Sequence, residues 1–556
     1  MTTIKYKSMD SVPAELKVQL DRYFSNLEGD TFLVDNLPPQ MTGALLARYS
    51  RVDYSTRLTL VNEFLDDQGN FNIQHANKLV DRVLNAFGDD SVRELEKGII
   101  VGIEGASNLL TKEIEDRRIG GSPIEQSSRY VKYDRKDTEG KWSYLRPAEV
   151  SKAGIMSEFE RVNDRAFEIY SATIPPLMDH FKEQFPKNKY KIKVIRENEE
   201  KELLESELES DQERKEFNTA YGFTIRCAAL DVARGILPTS TKTQLGLSGN
   251  ARFYTNLITH LKSSELEEAK ERGYKLEAEL QKVIPDFIKR NAEDPKIRIR
   301  NRKMYGLAQE ILGNSSELQD KQVRLVTADN YPLELISNML YPFTNIPLER
   351  ILHILKVESP ETQRRIIKTY CGERTSRRDK TGRASEAGYP FTFDIIGTFA
   401  EYRDLERHRM LTQQRQMLGT QLGFVMPEEI KKLGFEEKIN GLLDEMDNLN
   451  NKMRKIGLET ASQYATLFNH QVRFSMGMNL RELQHLTELR SQKAGHFGYR
   501  KIAMDMATEA IAREPLIQEL LGFVDYSDPE NKIARAKEQA NIAKKNISKG
   551  IEGELE

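Results

Sequence analysis

The chain has 556 residues, of which 30% are charged and 38% are apolar, and its formal net charge at pH 7 is -3. This length predicts more than one domain, and the composition is typical of a soluble, helix-rich protein. The charge balance gives no whole-chain attraction to nucleic acid or to membranes, so we expect neither as a partner.

The cysteine, histidine and apolar patterns exclude other kinds of site. The two cysteines, Cys227 and Cys371, cannot form a disulfide framework or a four-cysteine zinc site, which favours the reducing cytoplasm. The eight histidines have no spacing typical of metal ligands, so we expect no metal site. The first residues lack an apolar signal region, and no segment approaches the eighteen apolar residues that a membrane helix needs.

A similar order of predicted elements occurs twice along the chain. We predict a lead-in over residues 1–34, a first half over 35–300, a second half over 315–525 and a charged helical or disordered tail over 526–556. Each half has an amphipathic helix, then a β-rich run ending in glycine, then a helix that carries arginines. These elements are predicted at 78–87, 98–103 and 108–118 in the first half, and at 347–356, 391–396 and 401–415 in the second.

Each half also has a charged insertion. Residues 197–215 are dense in Glu and Lys, which predicts a solvated helix. Residues 430–453 have apolar side chains at helical spacing, which suggests an antiparallel hairpin arm.

Two fragments of one arginine-rich pattern are divided between the halves. In the first half, Ser127-Ser128-Arg129 follows a degenerate triplet, Asp116-Arg117-Arg118. In the second half the triplet is Arg407-His408-Arg409, but Met417 and Leu418 stand where the serines are expected. The two halves therefore retain complementary parts.

A second pattern is divided in the same way. In each half, the asparagine of an Asn-x-Arg segment stands sixteen positions after one position where the pattern has arginine and eleven positions before another such position. Gln463 and Leu261 occupy the two places where an arginine has been lost. The residues that remain are Arg234 with Asn250 and Arg252 in the first half, and Asn479 and Arg481 with Arg490 in the second.

Together these fragments resemble the flavin-dependent thymidylate synthases. That family carries Arg-His-Arg, seven or eight residues, then Ser-x-Arg, with Ala-Arg-x-x-Leu-Pro, Asn-x-Arg and Leu-Arg segments, and the resemblance covers most of residues 40–520. It implies an α+β fold of two tandem units, each a small β-sheet with long helices. It also implies reductive methylation of dUMP to dTMP, with FAD as cofactor, NADPH and methylenetetrahydrofolate as co-substrates, and no cysteine nucleophile.

The resemblance also implies site residues. Those for dUMP are Ser127, Ser128, Arg129, Arg234, Arg407 and Arg490, and those for FAD are Arg407, His408, Arg409, Asn250, Arg252, Asn479, Arg481 and Glu125. In the family two subunits contribute to each nucleotide site, so a fused chain implies one composite site and a homodimer that imitates the family's homotetramer. Arginines suit this role because they donate charge-assisted hydrogen bonds to phosphate and can hold two carbonyls of uracil.

Two alternatives stay open. The chain could be a nucleotide- or flavin-binding pseudoenzyme that acts as a scaffold, or a related flavoenzyme that acts on another pyrimidine nucleotide. Convergence of the arginines on one cleft favours an enzyme, and dispersal favours a scaffold. Asp404 stands where the family often has glutamine, and its carboxylate would repel a phosphate or a carbonyl group unless it pairs with Arg403 or Arg407.

Overall fold

The structure is a computed structural model, and it describes residues 5–28, 34–49, 55–66, 68–85, 98–117, 119–129, 131–196, 199–288, 293–313, 317, 319–327, 329–373, 382–493 and 495–528. These residues form a mixture of helices and small sheets, which confirms the predicted α+β class. Arg118 and most of the predicted tail lie outside the described residues.

The α-helices are α1 (Ala14–Leu20), α2 (Pro39–Tyr49), α3 (Thr56–Thr59), α4 (Ile73–Asn85), α5 (Asn108–Glu115), α6 (Ala148–Lys152), α7 (Met156–Gln184), α8 (Asp211–Ala233), α9 (Ala251–Lys262), α10 (Glu267–Gln281), α11 (Pro295–Leu312), α12 (Tyr331–Leu340), α13 (Leu348–Leu355), α14 (Pro360–Cys371), α15 (Phe399–Leu405), α16 (Glu428–Lys432), α17 (Glu436–Lys455), α18 (Leu480–Arg490) and α19 (Phe497–Arg513). Among the described residues, none of these helices combines the length and the apolar character needed to span a bilayer.

The strands are β1 (Ile99–Ser107), β2 (Gly121–Glu125), β3 (Lys191–Arg196), β4 (Glu199–Leu204), β5 (Lys242–Gly249), β6 (Val323–Leu325), β7 (Phe391–Thr398), β8 (Thr412–Arg415) and β9 (Gln471–Met478). They form a three-stranded sheet in the order β1-β5-β2, a β3-β4 hairpin and a four-stranded sheet in the order β6-β7-β9-β8. The long pair β7 and β9 is antiparallel, and every residue of β7 is buried, so this strand is covered on both faces.

The order β1-β5-β2 recurs as β7-β9-β8, and the helices after these strands recur as well. Ser107 ends β1 and caps α5 by accepting from Leu110 N, while Thr398 ends β7 and caps α15 by accepting from Glu401 N. The asparagines of both Asn-x-Arg segments likewise cap α9 and α18. Local sequence signals thus begin equivalent helices in both halves.

The chain divides into two compact units. The smaller comprises residues 1–106, 113–125 and 244–295, and the larger comprises residues 107–112, 126–243 and 296–556. The larger compact unit therefore draws on both predicted halves, and the boundaries of those halves stay a prediction about sequence repetition. The predicted dUMP residues all belong to the larger unit.

Within the larger compact unit, segment 237–239 lies antiparallel to segment 466–468. Thr239 N donates to Thr466 O, and Phe468 N donates to Leu237 O, each at 2.9 Å. A bridge joins Pro238 to Leu467 between them. Each residue of one segment corresponds to the residue 229 positions away in the other segment. Exchanging the two segments therefore reproduces the same pair of hydrogen bonds, as rotation about a two-fold axis does in an isologous interface.

The prediction of a solvated helix over residues 197–215 is wrong. Instead of a solvated helix, β4 pairs with β3 as a hairpin, and helix α8 begins only at Asp211. Ile192 and Leu208 pack with Phe217 in a buried cluster, each at most 2% exposed. The acidic composition concealed this apolar anchor, which holds the hairpin on α8.

The second insertion and the arginine helix also differ from the predictions. Residues 430–453 do not form a hairpin arm, because α17 is one continuous helix that packs on α7, with Glu445 contacting Arg161 at 2.6 Å. The helix predicted over 401–415 ends at Leu405, and residues 412–415 are strand β8. Pairing of β8 with β9 overrides the helical propensity of this polar segment.

Candidate active site

Chain turns and helix ends in the larger compact unit position the arginines. Arg129 lies in the turn after β2, and Arg234 begins the single 3-10 turn that ends α8. Arg407-His408-Arg409 forms the turn between α15 and β8, and Arg490 is the last residue of α18. These side chains therefore come from elements far apart in sequence.

Asp404, in the last turn of α15, joins two of these arginines. Its Oδ2 accepts a hydrogen bond from Arg129 Nη2 at 2.8 Å and lies 3.8 Å from Arg234 Nη2. The hydrogen-bonded partner is thus neither Arg403 nor Arg407 but an arginine 275 residues away in sequence. The contact brings Arg129 and Arg234 of the first half to a carboxylate of the second half.

The pKa of Asp404 reflects the positive charges of the surrounding arginines. Burial alone raises the pKa of a carboxyl group, but Arg129, Arg234, Arg407 and Arg490 together hold the pKa of Asp404 well below its usual range. Four of the six residues predicted for dUMP therefore act on one carboxylate. This is the convergence that distinguishes an enzyme from a scaffold among the sequence hypotheses.

Two buried residues, Arg234 beside this carboxylate and Ser128 next to Arg129 in the chain, have polar atoms available to a ligand. Arg234 and Ser128 are each 3% exposed. In the described part of the chain, Arg234 Nε and Nη2 and Ser128 Oγ have no hydrogen-bond partner. Burial, and then the charge of Arg129, lowers the pKa of Arg234. A buried cation with unmade hydrogen bonds is costly, so the site gains free energy by binding an anion with several acceptor oxygens.

His408 connects the arginine triplet to α18. Its Nδ1 is 2.8 Å from Glu482 Oε1, and its Nε2 is 2.9 Å from Arg490 Nε, which can only donate. Nε2 must therefore accept, so the proton of the neutral ring is on Nδ1. Burial lowers the pKa of His408; Glu482 raises it and Arg490 lowers it, with a net decrease.

An aromatic ring lies near both of the arginines that flank the site. Tyr499 of α19 is 5% exposed, and its ring centroid is 5.9 Å from the Arg129 guanidinium carbon and 5.7 Å from that of Arg490. Both distances are within the range of cation–π attraction. Tyr499 thus gives the two guanidinium groups a common apolar support.

The residues predicted for FAD have different environments. Arg407, Arg409 and Arg481 are exposed, whereas His408 is buried. The Asn479 side chain accepts from Glu482 N at 3.1 Å and so caps α18. The three exposed arginines adjoin the His408 to Glu482 contact along the chain, so cations surround the start of α18.

The other predicted FAD residues belong to the smaller compact unit. Asn250 accepts from Phe253 N at 2.9 Å and caps α9, next to the half-buried Arg252. Glu125 ends β2 and is 7% exposed. The structure therefore assigns a helix-capping role to both predicted asparagines.

The two positions that lack the arginine of the pattern, 463 and 261, are buried. Gln463 is 4% exposed, and its Oε1 accepts from Arg415 Nη1 at 2.9 Å and from Leu418 N at 3.2 Å. Leu261 is fully buried in the smaller compact unit. The Gln463 side chain is therefore engaged in hydrogen bonds within the protein.

Sequence reasoning missed three participants. Glu482 and Tyr499 were not singled out, and Asp404 was noticed only as a departure from the family pattern. Glu482 could have been found, because it stands one residue after the Asn-x-Arg segment. Tyr499 had no local signal, since only tertiary packing brings α19 to the arginines.

Thiol and metal chemistry receive no support from the described residues. Burial raises the pKa of the Cys227 thiol to about 12, so it is protonated at neutral pH and a poor nucleophile. In the described ranges, no group of three or more His, Cys, Asp or Glu side chains is arranged to hold a metal ion.

The sequence matches the Thy1 family, thymidylate synthase complementing protein, over residues 33–286 and 378–516. The chain belongs to this family. It is 34% identical over 549 residues to a UPF0159 protein of Chlamydia muridarum, covering 95% of this chain and 97% of the relative. It is also 30% identical over 497 residues to a UPF0159 protein of Thermoplasma acidophilum, covering 87% and 95%.

Two solved structures resemble parts of this Thy1-family chain. One is a UMP/dUMP methylase PolB from Streptomyces cacaoi bound with 5-Br dUMP, with 15% identity, a TM-score of 0.28, and coverage of 46% of this chain and 91% of that one. The other is the flavin-dependent thymidylate synthase ThyX from Helicobacter pylori complexed with FAD and dUMP, with 20% identity, a TM-score of 0.23, and coverage of 45% and 96%.

Proposed function

We propose that this Thy1-family protein catalyses the reductive methylation of dUMP to dTMP, with FAD as cofactor and with NADPH and methylenetetrahydrofolate as co-substrates. The observation that carries the proposal is the contact of Arg129 and Arg234 with Asp404, whose pKa the charges of Arg407 and Arg490 also lower. A solvated arginine cluster has no reason to draw its members from two helix ends and two turns. Membership of the family supports the same function.

The nucleotide phosphate is assigned to the buried end of this cluster. Ser128 Oγ and the Nε and Nη2 atoms of Arg234 are donors without a hydrogen-bond partner among the described residues. Arg129, the residue after Ser128, contacts Asp404 together with Arg234. A phosphate dianion offers several acceptors and compensates the cationic charge. Arg490 is assigned to the uracil carbonyls, where a guanidinium favours negative charge that develops in the ring.

The residues near the start of α18 suit an anionic cofactor. Arg407 and Arg409 flank His408, and Arg481 precedes Glu482, so their exposed charges accompany a helix N-terminus that itself favours phosphate groups. When bound, reduced FAD supplies the hydride and the folate supplies the one-carbon unit. The protein then has to bind, orient and electrostatically stabilise the pyrimidine, and it needs no cysteine for this.

We further propose one composite site per chain, built from two repeated halves, and a homodimer. The repeated strand order, the paired helix caps and the self-complementary contact at 237–239 and 466–468 support the repetition. The hydrogen bonds made by Gln463 support the loss of a reciprocal site. The dimer follows by analogy with the family's tetramer and is testable by light scattering.

The test is reconstitution of the full-length protein with FAD. The expected result is bound flavin absorbance and conversion of dUMP to dTMP when NADPH and methylenetetrahydrofolate are present. A folded protein that retains no FAD at micromolar concentration contradicts the proposal. Retention of FAD and dUMP without turnover identifies the pseudoenzyme alternative instead.

Asp404 favours a second candidate, a flavoenzyme that acts on another pyrimidine nucleotide. An ionised carboxylate only accepts hydrogen bonds, whereas the glutamine often found in the family can also donate. A ribose hydroxyl or an exocyclic amine would supply such a donor. Binding of UMP, dCMP and dUMP measured side by side separates the candidates, and dUMP is the expected best ligand.

A further inference from the structure

Buried side chains contact the Arg490 guanidinium. Its guanidinium has two usable edges, one formed by Nε and a terminal nitrogen and one formed by the two terminal nitrogens. His408 occupies Nε at 2.9 Å. Within the described residues, neither terminal nitrogen of Arg490 has a hydrogen-bond partner, so the end-on edge is left for a ligand.

The acceptor that holds Nε is itself fixed. His408 and Glu482 have side chains that are 3% and 6% exposed, and their 2.8 Å contact sets the proton on Nδ1. That tautomer leaves a lone pair on Nε2, aimed at Arg490. The Tyr499 ring lies 5.7 Å from the guanidinium carbon and limits movement on another side. The guanidinium is thus held by one hydrogen bond and one ring before any ligand arrives.

We infer that His408 is a positioning residue, which acts as a hydrogen-bond acceptor to aim the end-on edge of Arg490 at the pyrimidine, with Glu482 setting its tautomer. This differs from the FAD-binding role that the sequence resemblance implied for His408. The inference rests on the proposed function only for the identity of the ligand. The aim of Arg490 is a property of the free protein.

This positioning role requires the neutral form of the His408 imidazole, because Nε2 has to accept a hydrogen bond from Arg490. The charged and titratable groups that face His408 are Glu482, Arg490 and His485 on α18, and Arg407 is its chain neighbour. Protonation of Nε2 converts the acceptor into a donor and places a second positive charge beside Arg490. Because burial holds the pKa of His408 below its usual value, the active neutral form is retained at pH 7 and is lost only when acidification reaches that lowered pKa.

The test compares His408→Ala with His408→Gln, whose carbonyl oxygen can replace Nε2 as an acceptor. Titration calorimetry at pH 7.5 should show that His408→Ala binds dUMP roughly tenfold to a hundredfold more weakly, and that His408→Gln recovers most of this loss. The matched control is His353→Ala, which removes an exposed histidine on α13 and should bind like the wild type.

Two further readouts separate positioning from a loss of packing. On acidification, the affinity of the wild type for dUMP should decrease more steeply than that of His408→Gln, because only the wild type has an imidazole to protonate at position 408. Protonation of the phosphate affects both proteins equally. Crystal structures without ligand should show Arg490 displaced in His408→Ala and in place in His408→Gln. Unchanged affinity or an unmoved Arg490 in His408→Ala overturns the inference, as does a His408→Gln variant that binds as weakly as His408→Ala.

These outcomes are distinguishable from failure of the proposed function. If the wild type binds no dUMP, the proposed function is wrong. The position of Arg490 in the two crystal structures still decides the positioning role.

Discussion

Replacing Asp404 by asparagine tests whether one carboxylate holds the arginine cluster together. Asp404→Asn keeps the shape of the side chain but removes the charge that Arg129 contacts at 2.8 Å and Arg234 approaches at 3.8 Å. The three side chains are 9%, 12% and 4% exposed, respectively, so water screens them weakly. Breaking one partner of such a buried pair costs about 3–5 kcal/mol, and we expect the free energy of unfolding to decrease by this amount.

The single tryptophan provides the assay. Trp142 lies in the same compact unit as Asp404 and is 8% exposed, so its fluorescence during urea denaturation reports on that unit. Saturating dUMP should restore part of the loss, because its phosphate compensates the arginines in place of the carboxylate. Asp444→Asn, which changes an exposed aspartate on α17, is the matched control. Equal stability of Asp404→Asn and the wild type would refute the reasoning.

The pH dependence of this difference has a defined sign. The pKa of Asp404 is depressed in the folded protein, so its stabilising contribution is complete above the unfolded value of about 4. It is lost as the pH decreases from there through the lower folded pKa. The difference between wild type and Asp404→Asn should therefore be constant from pH 5 to 8, and a steady decrease over that window would contradict the assignment.

Three further outcomes follow from the site. Arg129→Ala and Arg234→Ala should each weaken dUMP binding by about 1.5–3 kcal/mol in titration calorimetry, whereas Met417→Ala should leave it unchanged; equal losses from all three contradict one site per chain. Mixing full-length Arg129→Ala and Arg490→Ala chains should restore no binding, because both residues belong to one compact unit of one chain, and recovery would reveal sites between chains. Cys227 should resist thiol reagents in the native protein at pH 8, and Cys227→Ala should keep dTMP formation; rapid labelling would contradict its burial.

Elements with strong local signals could be predicted from the sequence. The apolar runs at 98–103 and 391–396 lie in β1 and β7, and the amphipathic segment 347–356 contains α13. Serine or threonine at the end of a strand and asparagine before a helix are capping signals that act within four residues. Such short-range determinants can be recognised without knowledge of the tertiary structure.

Features that depend on distant packing could not be predicted in this way. The strand β4 was hidden in an acidic run, because its register with β3 and the burial of Leu208 depend on α8. The helix predicted over 401–415 ended early because β8 pairs with β9. The partner of Asp404 was likewise missed, since Arg129 is 275 residues away in sequence.

The sequence singled out arginines of the candidate site but not the contacts that they make. Spacing and complementary losses pointed to Arg129, Arg234, Arg407 and Arg490, and these converge on Asp404. The same reasoning gave His408 and Asn479 a role toward FAD, which stays a prediction, but it did not reveal that His408 contacts Arg490 and that Asn479 caps α18. Residue type alone does not reveal which hydrogen bonds a side chain makes inside its own protein.

The stoichiometry of dUMP binding tests the central claim most directly. Calorimetric titration of the full-length, FAD-loaded protein should give one dUMP per chain, because one set of arginines converges and Gln463 and Leu261 are built into packing. Arg234→Ala should abolish or strongly weaken that single event. Two equivalent sites per chain, or one site that survives Arg234→Ala unchanged, would contradict the account.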